Sequence, residues 1–158
     1  YSGDQMSMYS MNAGVPKTLV REIVAWWTRR EGASPVAAEA LRDILATPIS
    51  PELLPPGVDG CMAQKTEEAI GPYELHDFFL YHFIRRGAVR KTIRALAEEA
   101  FKEVYPAEEI EKSLALFFKR FVSQQFKRRC APDGPATGSV NLSPHGGLAM
   151  PSDLALTL

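Results

Sequence analysis

Apolar side chains recur at intervals of three and four over most of the chain, and the interruptions fall where proline and glycine cluster. After a loop over residues 1–14, broken by one short extended run from Gln5 to Tyr9, Pro16 suits the first turn of a helix. Leu19, Val20, Ile23, Val24 and Trp27 continue at helical spacing to about Arg30, and Gly32 ends the element. Ser34-Pro35 starts a second helix by cap and first-turn logic, with Leu41, Ile44 and Leu45 as its expected buried stripe. From Thr47 to Gly60 four prolines and two glycines predict a loop.

Three more helices follow. The first opens at Pro72, is lined by Leu75, Phe78, Phe79 and Phe83, and closes at Gly87. Ile93, Leu96, Ala97, Ala100 and Phe101 define the next. The last begins at Pro106, and Ile110, Leu114, Phe117, Phe118, Phe121 and Val122 carry it as one element to Lys127-Arg128-Arg129. Beyond Ala131 the period is lost among four prolines and four glycines. Val140, Leu142, Leu148 and Met150 remain there as apolar anchors, which suits a segment that orders against something. Residues 1–130 are thus expected to form a helical unit and residues 131–158 an irregular tail. Five helices with one strand make poor sense of the glycine-rich opening, which reads better as the last piece of a sheet whose other strands lie upstream. The chain also opens at Tyr1 without a methionine, as either a fragment or a processed protein would.

Composition narrows the function classes. With 158 residues, 46% hydrophobic and 23% charged, the chain is globular rather than disordered. A formal net charge of −1 excludes a generally basic, nucleic-acid-coating protein. Two basic clusters stand out, Arg85, Arg86, Arg90, Lys91, Arg94 and Lys119, Arg120, Lys127, Arg128, Arg129. Glu98 and Glu99 follow the first at helical spacing and predict a solvated, paired face. Cys61 and Cys130 lack CxxC spacing, and His76, His82 and His145 lack metal-site spacing. Neither metal nor redox chemistry is indicated, and a reduced cytoplasmic setting is the default. No apolar run approaches the roughly 20 residues that cross a bilayer, and no signal peptide is visible.

Several stretches resemble the synthetase domain of glutamine-dependent NAD synthetases. They are Gly3-Asp4-Gln5-Met6-Ser7 with Asn12-Ala13-Gly14-Val15-Pro16-Lys17-Thr18-Leu19, then Thr47-Pro48-Ile49-Ser50-Pro51-Glu52-Leu53. Gln64-Lys65-Thr66-Glu67 running into Gly71-Pro72-Tyr73-Glu74-Leu75-His76-Asp77-Phe78-Phe79 is similar to the family's next segment. Gln124-Gln125-Phe126-Lys127-Arg128, Pro132-Asp133-Gly134-Pro135, Ser143-Pro144 and Pro151-Ser152-Asp153 resemble its carboxyl-terminal signature. The resemblance covers essentially the whole chain.

It implies a mainly α fragment of a Rossmann-like α/β ATP-pyrophosphatase domain. The implied reaction adenylates deamido-NAD with ATP and magnesium, and ammonia, supplied by an N-terminal glutaminase, displaces AMP. A homodimer is implied, with the chain inactive alone. The family's Ser-Gly-Gly-x-Asp-Ser phosphate loop and its acidic magnesium ligand do not occur in this sequence, so both are expected upstream. No metal ligand is assigned here. By resemblance Lys17 contacts ATP, although on its own a first-turn lysine reads as solvated. Ser50 takes the place of a threonine whose hydroxyl meets ATP. Lys127, with Arg128 beside it, is placed at deamido-NAD on a mobile loop that closes over the substrate, and the tail becomes its lid. Phe126 stands where small ammonia-dependent members have a histidine. Tyr1 aligns with the deamido-NAD pocket, and Asp153 of the Pro-Ser-Asp signature completes the set. His145 and Gly147 replace the Arg and Asp common in the family. The rival readings are a helical oligomerisation module and another ATP-pyrophosphatase ligase.

Overall fold

A computed structural model describes residues 8–47, 70–151 and 154. The chain divides into two compact units, residues 16–74 and residues 1–15 with 75–158. Among the described residues there are six α-helices and no strand. The expected extended run Gln5–Tyr9 lies mostly outside them, and Met8 and Tyr9 are not in a strand.

In the unit spanning 16–74, α1 is Lys17–Arg29 and α2 is Pro35–Ala46. Pro16 holds extended backbone at the cap of α1, and Pro35 is the first residue of α2. Between them Gly32 turns the chain at φ 79°, a left-handed conformation that costs glycine little. Ser34 occupies the cap position of α2, yet its side chain makes no capping bond. Arg21 of α1 donates from Nη2 to the Leu45 carbonyl at 3.1 Å, placing a cation at the carboxyl end of α2.

The expected stripes are helical but not buried. Thr28 is the buried residue of α1 and Ala38 that of α2. Leu19, Ile23 and Ile44 are 47%, 49% and 61% exposed, while Val20, Val24, Trp27, Leu41 and Leu45 are partly buried, so the apolar face of this pair is incompletely covered.

The second unit holds the core. Its helices are α3 (Tyr73–Leu80, whose first two residues precede the unit), α4 (Arg90–Ala100), α5 (Ala107–Ser123) and α6 (Gln125–Arg129). Leu75 and Phe79 of α3, Ile93 and Ala97 of α4, and Ile110 and Leu114 of α5 are fully buried. Aromatic rings knit α3 to α5, with Phe79 and Phe117 edge to face at 5.8 Å. Phe83 meets Phe121 the same way at 5.4 Å. Each such pair adds about 0.5–1.5 kcal/mol beyond burial. Arg90 and Arg94 of α4 reach Glu111 of α5 at 2.6 and 3.3 Å, and Arg94 pairs with Glu98 at 2.7 Å. The first basic cluster is thus in part the paired face its spacing predicts.

Two helices depart from their sequence pattern. After Leu80 the chain widens into a π-helical turn, Tyr81–Arg85, before Gly87 at φ 62° stops it. The helix expected to run unbroken to Arg129 is interrupted at Gln124, where φ −101° and ψ 11° leave the helical region. The break turns Gln125 inward, 3% exposed, and its Nε2 donates to the Pro151 carbonyl.

The tail contains no regular structure from Ala131 to Pro151, and it is packed. Leu142, Leu148 and Met150 lie against the core, and Val140 is only partly buried. Asn141 Oδ1 accepts from the Ser143 N–H, and the Ser143 carbonyl accepts from Gly147 and Leu148. The opening segment is fastened alongside, with the Ser10 N–H donating to the Asp133 carbonyl at 2.7 Å.

Candidate functional site

Lys17 is the first residue of α1 and is exposed. Its setting follows from local sequence, because Pro16 directs the chain into the helix and no acidic residue falls in the first turn. No side chain caps this end either. The positive end of the helix dipole and the lysine charge are therefore uncompensated by a first-turn carboxylate, as an anionic ligand would need. Lys17 and Lys127 belong to different units. Tyr1, Ser50 and Asp153 lie outside the described residues.

Lys127 and Arg128 are adjacent in sequence and differ in environment. Lys127 is exposed on the short helix α6. Arg128 is turned inward. Its Nη2 donates to the Phe121 carbonyl at 2.8 Å, and Met150 Sδ lies 3.3 Å from the same nitrogen. The guanidinium carbon stands 4.3 Å from the Phe121 ring centroid, a close cation–π approach. Burial lowers the Arg128 pKa from its ordinary value, because the charged form loses hydration. Of the two cations expected at deamido-NAD, Lys127 is thus the one directed to solvent.

Phe121 lies in the last turn of α5, whose final carbonyls have no partner within the helix. Arg128 supplies one, and a cation suits the negative end of that helix. Gln125 adds the link to Pro151. This residue escaped the sequence reading, although a signal for it exists. Phe117, Phe121 and Gln125 follow at intervals of four, so a glutamine stands where the apolar stripe calls for a buried side chain.

The remaining candidates are structural in their surroundings. His76 sits 6.2 Å from the Phe79 ring and 6.0 Å from that of Phe117, at the edge of the core. Cys130 is exposed with a free thiol, and Cys61 is outside the described residues. His145 Nε2 lies 4.0 Å from Asp133 Oδ1, both exposed. Among the described residues no group of three or more His, Cys, Asp or Glu could hold a metal ion. None of the described helices is long and apolar enough to cross a membrane.

No family model matches the chain. Curated enzymes of NAD formation do match it, along almost its entire length. It is 36% identical to the glutamine-dependent NAD(+) synthetases of Mycobacterium bovis and Mycobacterium tuberculosis, in an alignment of 171 positions covering 97% of the chain. The protein of the same name from Mycobacterium leprae is 35% identical over the same share. The chain spans about a quarter of the length of these relatives, 25% in each case. It is therefore homologous, throughout almost all its residues, to a segment of the glutamine-dependent NAD(+) synthetases.

Proposed function

We propose that the chain is the carboxyl-terminal part of the synthetase domain of an NAD synthetase, which amidates deamido-NAD to NAD. The observation carrying this reading is 36% identity to glutamine-dependent NAD(+) synthetases in an alignment that covers 97% of the chain. In this reading a Rossmann-like α/β sheet, the phosphate loop and the magnesium ligands come from elsewhere in a longer protein. A glutaminase portion supplies ammonia, the enzyme is a homodimer, and it works in the cytoplasm.

The chemistry explains the kind of residue required. A nicotinate carboxylate resists attack by ammonia, so its oxygen first displaces pyrophosphate from ATP to form an adenylate. Ammonia then adds to the activated carbonyl and AMP leaves. Negative charge builds on phosphate in the first step, and fixed cations and dipoles stabilise it without reorganising. Lys17 at the amino end of α1 is the candidate in this chain, with the Ser50 hydroxyl as a second ATP contact. Lys127 is the outward cation for deamido-NAD, with Arg128, Tyr1 and Asp153 assigned to the same site. Residues 131–158 would act as a lid that keeps water from hydrolysing the adenylate.

The test is conversion of deamido-NAD to NAD by the full-length protein with ATP, magnesium and glutamine, beside the 158-residue chain alone. Conversion by the former and no AMP release above a buffer blank by the latter is expected. Inactivity of the full-length protein would overturn the function, and AMP release by the chain alone would overturn its dependence on an upstream phosphate loop. The exposed apolar face of α1 and α2 favours a second reading, a helical oligomerisation module without catalysis. Loss of NAD formation on replacing Lys17, with assembly unchanged, would dismiss it.

A further inference from the structure

We propose that Arg128 and Gln125 are positioning residues, which lock α6 and its exposed Lys127 between the end of α5 and the Met150–Pro151 stretch of the tail. The inference rests on the reading of Lys127 as a deamido-NAD contact. It changes the role of Arg128 from a second substrate cation to the brace that orients the first.

Helix α6 has five residues, Gln125–Arg129, and a helix that short does not hold itself together in water. It also follows a break at Gln124, so α5 does not impose its direction by continuity. Tertiary contacts must fix it, and two of its side chains provide them. Arg128 reaches back to the Phe121 carbonyl and ring, then across to Met150 Sδ. Gln125, 3% exposed, donates to the Pro151 carbonyl one residue further along the tail. The two bonds are to consecutive tail residues, so helix and tail constrain each other. Met150 also packs on the core, which anchors the far side of the contact. The guanidinium is covered by a ring on one face and engaged at Nη2, which leaves it poorly placed to meet a substrate. Lys127 sits between the two braced positions and is exposed. Its direction follows from theirs, since successive helical residues are about 100° apart around the axis.

The experiment uses the full-length protein and the variants Arg128→Met, Arg128→Lys and Gln125→Leu. Two readouts are taken on each, the rate of limited digestion within residues 131–151 without substrate, and separate KM and kcat values for deamido-NAD and ATP. Arg128→Met should raise tail digestion and the KM for deamido-NAD together, each roughly tenfold or more, as loss of a charged hydrogen bond implies. The KM for ATP should not move. Arg128→Lys should recover part of both effects, because lysine keeps one donor for the Phe121 carbonyl. Gln125→Leu should shift both in the same direction by less, since its bond is neutral. A raised KM with unchanged digestion would overturn the proposal and make Arg128 a direct substrate ligand. Faster digestion with an unchanged KM would overturn it too, leaving a brace that serves stability alone. Should Arg128→Met fail to fold, the other two variants decide, and no shift in either would overturn the brace. A full-length protein that makes no NAD would sink the functional reading and the role of Lys127 with it. Digestion would then still settle whether Arg128 holds the tail.

Discussion

Replacing Gly14 by alanine would push a methyl group into the tail at the point where it passes the opening segment. A Cβ at Gly14 would stand 2.5 Å from the Thr137 carbonyl oxygen and 2.8 Å from Thr137 Oγ1. The hydroxyl can rotate, but the carbonyl belongs to the backbone. Relief therefore requires one segment to move away by on the order of 1 Å, since non-bonded heavy atoms pack best at about 3.5–4.0 Å. The same two segments are joined at Ser10 and Asp133 by a 2.7 Å backbone bond, and Gly134 is pressed closely against Ser10 there. Overpacking of this kind costs about 1–3 kcal/mol, and losing the Ser10–Asp133 bond adds about 0.5–1.5 kcal/mol. The expected loss is about 2–4 kcal/mol, read as a lower urea midpoint at unchanged slope, with faster digestion within residues 131–151. Gly32→Ala is the control. Gly32 has φ 79° and nothing within 4 Å of the added carbon, so only left-handed strain applies, about 1–2 kcal/mol, with no effect on the tail. The double variant Gly14→Ala with Gly134→Ala should lose less than the sum, because a detached tail no longer meets the second methyl. A loss below about 0.5 kcal/mol for Gly14→Ala, with digestion unchanged, would refute the close approach.

Three further outcomes are expected. Lys17→Ala in the full-length protein should slow adenylation by about 10²–10³-fold while glutaminase activity persists, and a loss under tenfold would return Lys17 to a solvated first-turn residue. Lys127→Ala should lower NAD synthesis and abolish the protection that ATP and deamido-NAD give the tail against proteolysis; equal protection in variant and wild type would make Lys127 an ordinary helix-end cation. The 158-residue chain should self-associate in sedimentation, since Trp26 and Ile44 are 58% and 61% exposed beside Leu19 and Ile23, and a monomer over a wide concentration range would contradict this.

Sequence periodicity located the helices better than it located their surroundings. In α5 the spacing of Ile110, Leu114, Phe117, Phe121 and Val122 matched burial, because several elements converge on that face. In α1 and α2 the same kind of spacing identified helices whose apolar residues Leu19, Ile23 and Ile44 remain exposed. A periodic stripe states which face is apolar and says nothing of what covers it. The break at Gln124 carries no glycine or proline to announce it. Its partner, the Pro151 carbonyl, lies 26 residues away from Gln125, beyond any local pattern. The π-helical turn at Tyr81–Arg85 is equally silent, since Phe79 and Phe83 fit an ordinary helical stripe.

The candidate site shows the same division more sharply. Resemblance placed Lys127 and Arg128 together at a substrate, and both are cations at a helix end, so residue type could not separate them. Their spacing from the core could have done so. Leu114, Phe121 and Arg128 are seven residues apart in succession, which would set them near one face of the unbroken helix that the periodicity predicts. The chain breaks at Gln124 instead, and Arg128 is held by its own contacts with the Phe121 ring and carbonyl. Lys127, one position earlier, is rotated by about 100° from Arg128 and meets solvent. An arginine fits the inward position because its planar head can stack on a ring while donating at its edge, which a lysine ammonium cannot do together. The outward position asks only for a mobile charge on a flexible stem, and there the chain has lysine.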